Sequence, residues 1–307
     1  MLFSFDDRLR LPGDINGIEV LAGGGIAHDD TAFLGEKKST EFSPFFALMT
    51  EDFYVDIHKI AYRFHPKEDT ILTLIGRQDA LPNEEDIPSY LNIKSGESYD
   101  VGLMAEKKFG KYSLEAEAMV DVTGTHNGVS LELAMGYNHY SEKSHFEVVL
   151  GARYQDNNRA SYLYGVSSKE ANSSLKKYEA KGDLAAFLYA SYVFEVYNNL
   201  GLVLQGSITS LSDTAKQSPR MKNDAKYQEV ELFAGLVWQS SVYDKDYDLS
   251  ALMVSLSRKY KRIKFAYILI LLAIDDKDSS VPIESVYYFK SQFQKAEKAN
   301  LKVSIYP

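Results

Sequence analysis

Six histidines, His28, His58, His65, His126, His139 and His145, are the residues best suited to acid–base or metal chemistry, since the chain contains no cysteine. No two stand at the i,i+4 spacing that sets a pair of imidazoles on one helix face for zinc. His139 and His145 flank one tight turn and can approach each other there, as solvated rim histidines do. A disulfide framework and a thiolate metal site are both excluded. No nucleophile turn of the Gly-x-Ser-x-Gly kind and no phosphate-cradling glycine loop stands out. Gly23-Gly24-Gly25 falls in a strand-like stretch, where glycine serves close packing or curvature. The carboxylates Glu115, Glu117, Glu132, Glu147, Glu195 and Glu231 alternate with apolar residues, so each strand turns its acid toward one face. A solvated lining, or one salt-bridged to Arg153, fits that pattern better than a catalytic pair. The expectation is therefore a protein without catalytic, cofactor-binding or metal-ligating residues, and not an enzyme.

The elements that carry these groups follow from period-two alternation. In Ser113–Asp121, Leu114, Ala116, Ala118 and Val120 face one way, while Ser113, Glu115, Glu117 and Asp121 face the other. Val129–Tyr140 and His145–Gln155 repeat the pattern. Counting this way gives about eleven segments: 16–27, 39–49, 53–64, 70–79, 97–109, 112–121, 128–140, 145–156, 183–197, 200–211 and 227–239. Many exceed the usual strand of about 5–6 residues. Strands near ten residues with one apolar face, joined alternately by tight turns and long polar loops, are the pattern of a transmembrane β-barrel. Twenty-two tyrosines against one tryptophan fit a protein with a membrane–water boundary. No run is long and apolar enough for a spanning helix. A net charge of −9 argues against nucleic acid as a partner. The fold class expected is all-β, an antiparallel transmembrane β-barrel of about 10–12 strands in outer-membrane lipid. Alternation alone also fits a soluble lipocalin-like barrel with the apolar face turned inward. A membrane barrel would line its lumen with Glu115, Glu117, Glu132, Glu147 and Arg153.

One stretch, 162–178, interrupts the strands with YLYGVSSKEANSSLKKY. Ser167 followed three residues later by Glu170 is a capping-box signal, and Lys176 and Lys177 suit a helix C-terminus, so a short helix over 167–176 is expected in this loop. Tyr164-Gly165-Val166-Ser167, Glu170-Ala171 and Tyr178 together resemble the signature of the MipA/OmpV family. Ser218-Pro219, Phe233-Ala234-Gly235-Leu236 and Gly23-Gly24-Gly25-Ile26 follow the same family pattern. The resemblance spans about residues 15–239 and implies an outer-membrane barrel that is a non-catalytic scaffold. Its implied partners are peptidoglycan enzymes, a lytic transglycosylase and a penicillin-binding protein. Alternatives are a narrow cation-preferring pore, to which an acidic lumen is suited, and an adhesin-type surface protein.

The opening MLFSFDDRLR is charged within six residues and does not read as a secretory leader. Either the chain is a mature form or its true start lies upstream. Residues 1–14 form a lead, 15–239 the barrel, and 240–307 an atypical extension. In the extension, Leu249, Ala251 and Met253 could belong to one more strand over 247–256. Beyond it a basic cluster precedes an apolar run too short to span as a helix. An odd number of strands cannot return both ends to one side. The remedies are a twelfth strand at 247–256, or ten strands closed by 227–239. Closure by 227–239 without the extension is the expectation.

Overall fold

The computed structural model describes residues 10–242, apart from 13, 14, 16, 35–37, 57, 80–97, 174 and 222–227. Within them, twelve antiparallel strands form one closed barrel in which each strand pairs with its neighbours in sequence and the first pairs with the last. The strands are β1 (Ile18–Asp30), β2 (Ser39–Met49), β3 (Phe53–Asp56), β4 (Lys59–Lys67), β5 (Thr70–Asp79) and β6 (Ser98–Phe109). They continue with β7 (Tyr112–Asp121), β8 (Val129–Tyr140), β9 (Ser144–Gln155), β10 (Asp183–Tyr197), β11 (Leu200–Ser210) and β12 (Gln228–Val242). Two helices, α1 (Asn157–Tyr164) and α2 (Asp213–Gln217), lie in the loops before β10 and β12.

The polarity is that of a membrane barrel. Leu133 is 64% exposed and Leu150 61%, whereas Glu147, on the same strand as Leu150, is 4% exposed. Leu114, Leu131 and Ala116 are also exposed on the outer face, with Val148 partly so. Buried Ser113, Ser130 and His145 occupy alternate positions and point into the bore. A water-soluble barrel would place these sets the other way round. Contiguous leucine and methionine across β7, β8 and β9 needs lipid rather than water against it. The lipocalin-like alternative is thereby set aside.

The strand count is even by a route neither remedy anticipated. The segment 53–64 is not one strand but two, β3 and β4, joined between Asp56 and Lys59. The Asp56 carboxylate accepts the backbone N–H of His58 and of Lys59, each at 2.6 Å, and fastens the reversal. Tyr54 donates its hydroxyl to the same carboxylate at 2.8 Å. With that split, β12 closes the barrel on β1 from Ile18↔Val242 to Asp30↔Val230. The segment 247–256, expected as one remedy to supply a further strand, and the rest of the extension from residue 243 lie outside the described residues. A chain ending at Val242 is therefore expected to give a heat-modifiable, protease-resistant barrel. Aggregation of that chain, relieved by restoring 243–257, would refute it.

Both ends of the barrel lie on one rim, together with the tight turns 50–52, 68–69, 110–111, 141–143 and 198–199. Gly110 and Asn199 adopt positive φ, 65° and 64°, as such turns demand. Short turns and the strand ends at Ile18 and Val242 mark the periplasmic rim, and the longer connections, with the short β3–β4 reversal, fall on the outer side. Near the periplasmic rim the bore is partly filled by apolar side chains, among them Leu21, Met49, Tyr54, Val193, Val203 and Val237.

Candidate functional site

Two features combine residues that sequence reasoning had treated separately: a polar lumen and a cap of interlocked loops above it. In the lumen, Glu117 and Glu132 are register partners on β7 and β8, and Glu132 is the partner of Arg153 on β9. Arg153 grips Glu132 with Nε and Nη2, both 2.8 Å from Oε2. Arg77 on β5 approaches Glu117 at 3.0 Å. Positive and negative groups therefore form a cross-strand chain along one wall, and Arg153 also lies 5.7 Å from the centre of the Phe187 ring. Glu115 accepts from Ser113 at 3.2 Å. Glu115, Glu117, Glu132, Glu147 and Arg153 all line one cavity of about 960 Å³. Its walls run from Gly110 and Tyr140 at the periplasmic rim to Asp30 and Val230 at the outer rim. Sequence reasoning missed Arg77, because its partner is forty residues away on a strand that is not adjacent and no local motif links them.

The cap begins where β9 ends. Asp156 accepts the Arg159 N–H at 2.9 Å and starts α1 as its N-cap. The expected helix over 167–176 is displaced: the helix is α1, upstream, and 167–176 contains only one turn. The Ser167 N–H does donate to Glu170 at 2.8 Å, half of a capping box. No helix continues from it, because Asn172 accepts the Leu175 N–H at 3.0 Å and turns the chain. Lys177 pairs with Glu179 instead of sitting at a helix end. Asp156→Ala should therefore lower the stability of the cap by about 0.5–2 kcal/mol, measured as faster amide exchange over 156–182, while Ser167→Ala leaves α1 intact.

The signature residues sort by contact. Gly165 ends α1 with its Cα so close to the helix that a Cβ would stand 2.3 Å from the Ser161 carbonyl oxygen. Val166 and Tyr178 form an isolated antiparallel bridge with backbone bonds of 2.9 and 3.0 Å. The Tyr178 hydroxyl donates to the Thr214 carbonyl at 2.9 Å, which ties this loop to α2. Ser218 donates to the Tyr164 carbonyl at 2.6 Å, and Tyr164 stacks on Phe33 at 5.9 Å. Burial pushes the Tyr164 phenol well above its ordinary range, so it stays neutral. Arg220, just after Pro219, donates to the Tyr162 carbonyl at 2.8 Å and offers its own carbonyl to the Leu34 N–H at 2.7 Å. Burial lowers the Arg220 pKa, and the nearby Glu170 carboxylate opposes that shift. Tyr164, Gly165, Val166, Tyr178 and Ser218 are thus brought together as the fastening between three loops. Ser167 and Glu170 sit on its outer side, and Pro219 lies in the turn that presents Arg220. Arg220 was not singled out from sequence, although its position beside Ser218-Pro219 was a usable signal.

α1 also reaches down into the barrel. Its Arg159, 4% exposed, places Nη1 2.5 Å from Asp100 on β6. Asp100 is the register partner of Asp121 on β7, and His126 stands 3.4 Å from Asp100. Three ligand-type groups, Asp100, Asp121 and His126, are close enough to surround a cation. The guanidinium of Arg159 already supplies positive charge there, however. Asp121 is committed to the N–H groups of Thr123, His126 and Asn127 at 2.7–2.8 Å, which hold the 122–128 loop. The cluster is thus explained as a lock between α1 and the barrel wall.

Among solved structures, the chain is similar to an outer-membrane channel from Pseudomonas putida F1, with 12% identity and a TM-score of 0.38 over 75% of this chain and 97% of that one. It is also similar to the NanC porin, with 9% identity and a TM-score of 0.36 over 72% of this chain and 99% of that one. The toluene transporter TodX of Pseudomonas putida matches with 10% identity and a TM-score of 0.33, over 74% of this chain and 89% of that one. No curated protein matches the chain. The family model described as MltA-interacting protein MipA matches residues 22–240, from early β1 to the last turn-side residues of β12. With its signature residues gathered into one cap on a closed twelve-stranded barrel, this outer-membrane chain belongs to the MipA family.

Proposed function

We propose that this barrel does no chemistry of its own and serves as an outer-membrane mount for peptidoglycan enzymes. A lytic transglycosylase would be held at the periplasmic rim, with a penicillin-binding protein as the further partner. The observation that carries this reading is the match to the MltA-interacting family along the length of the barrel. Peptidoglycan lies on the side of the tight turns, so docking falls to surfaces such as Lys111 and Glu142–Lys143 rather than to the cap. The cap at 162–178 then serves barrel integrity. Pull-down of a purified lytic transglycosylase by the detergent-solubilised barrel tests this. Binding should survive deletion of 165–177 and weaken when Lys111, Glu142 and Lys143 are replaced by serine. Loss of binding on the loop deletion, with the barrel still heat-modifiable, would move the partner to the outer face.

A second reading is a narrow channel, favoured by the continuous lining between the two rims. Acidic groups outnumber basic ones along that lining, which favours cations. Planar-bilayer recordings test it: small, cation-preferring steps support it, and silence across salts opposes it.

A further inference from the structure

Ahead of β1, Arg10, Leu11 and Ile15 lie against the inner wall of the barrel. Leu11 is 5% exposed and belongs to the apolar cluster of the bore, together with Leu21, Val193, Val203 and Val237. Its side chain fills the space above Gly201, where a Cβ would meet Leu11 Cδ2 at 2.4 Å. The Leu11 N–H donates to the Gln239 side chain at 2.8 Å. Arg10 donates from Nε and Nη2 to the two oxygens of Glu19, at 2.6 and 3.1 Å. Glu19 is 1% exposed, on the first turn-side residues of β1, and also accepts from Gln239 at 3.3 Å. Ile15 packs against the same apolar cluster, and Arg10 and Ile15 line the same cavity as the lumenal carboxylates. Arg10 and Leu11 are therefore anchored to the inner wall at the periplasmic end of the closing seam, by an ion pair to β1 on one side and an apolar contact with β11 and β12 on the other.

We infer that Arg10, Leu11 and Ile15, seated in this way, form a plug that narrows the periplasmic half of the lumen and must shift for solute to pass. The inference rests on the channel reading above. The anchoring has the character of a latch. One charged pair, one hydrogen bond to Gln239 and the apolar side chains of Leu11 and Ile15 hold these residues, and the strands keep their own hydrogen bonds whether they are seated or not. The passing solute would be small, hydrophilic and preferably cationic, as the lining beyond the plug requires.

Because the chain has no native cysteine, Leu11→Cys with Gly201→Cys can form only one disulfide within the molecule. The pair also removes the Leu11 atom that a Cβ at 201 would meet. Bilayer recordings of the full chain would compare this pair, oxidised and reduced, with an Arg10→Glu/Leu11→Asp variant. That variant sets a carboxylate against Glu19 and another against the valines, while the barrel strands are untouched. The expected result is ready disulfide formation, the lowest conductance in the oxidised pair, and conductance above wild type in the charge variant. Failure of the disulfide to form would overturn the seating. Equal, non-zero conductance in all forms would overturn the plug and leave the channel standing. Silence in every form, with folded barrels, would overturn both.

Discussion

Arg159→Ala is expected to destabilise the folded barrel by about 3–5 kcal/mol, the usual cost of removing one partner from a buried ion pair. Asp100 is 0% exposed and Arg159 4%, so little water can replace the guanidinium. The lost group also joins α1 to β6, and without it the helix loses that attachment to the barrel wall. Most of the effect should come from the stranded carboxylate rather than from the missing attraction. A control separates the two: Arg159→Met with Asp100→Leu removes both charges and should restore most of the loss, because paired apolar replacements are often neutral. Urea unfolding of the detergent-refolded barrel gives the comparison. A single variant as stable as wild type would mean that Asp100 is neutralised by another group.

Leu150→Arg should cost about 2–4 kcal/mol when the barrel is folded into lipid vesicles. Leu150 lies midway along β9, flanked across the sheet by its partners Met135 on β8 and Leu188 on β10. All three are exposed, so the guanidinium would enter the middle of the hydrocarbon band. An arginine at Phe109, on the outer face at the periplasmic end of β6, should cost much less, since the depth penalty fades to about 0–1 kcal/mol near the interfaces. Equal costs at both sites, or spin labels at Leu150 reading aqueous, would reverse the inside and outside faces.

Much of the barrel was legible because its pattern is local. Strands β5 to β11 were located to within a few residues, since each carries its own alternation and a turn at each end. The β3–β4 reversal was not found, because no Gly, Pro or Asn marks the bend between Asp56 and Lys59. The signal was Asp56 itself, whose carboxylate caps two N–H groups, together with a shift in phase: Tyr54 and Ala61 are both buried in the bore although they differ in parity. The misplaced helix has a similar origin. Ser167 and Glu170 do bond, but a single capping contact cannot propagate through Asn172. The lumenal acids were visible as a set. Arg77, the partner of Glu117, was not, and neither was the Arg159–Asp100 pair, because these groups come from elements distant in sequence and only the fold brings them near.

The seam between β1 and β12 is the one pairing in the barrel that does not join consecutive strands. At that seam Gly25 faces Gly235, and a Cβ on Gly25 would lie 2.5 Å from the Gly235 Cα. Every other pairing can form as a hairpin soon after its second strand exists, while this one waits for the whole chain. Loop closure costs only about 0.6 kcal/mol more for each doubling of length, so the delay is a matter of order rather than of prohibitive entropy. Until Ile18 meets Val242, two strand edges stand bare, and a nascent barrel is in its most aggregation-prone form. The glycines that let the two backbones approach thus sit where the slowest, longest-range contact of folding must be made.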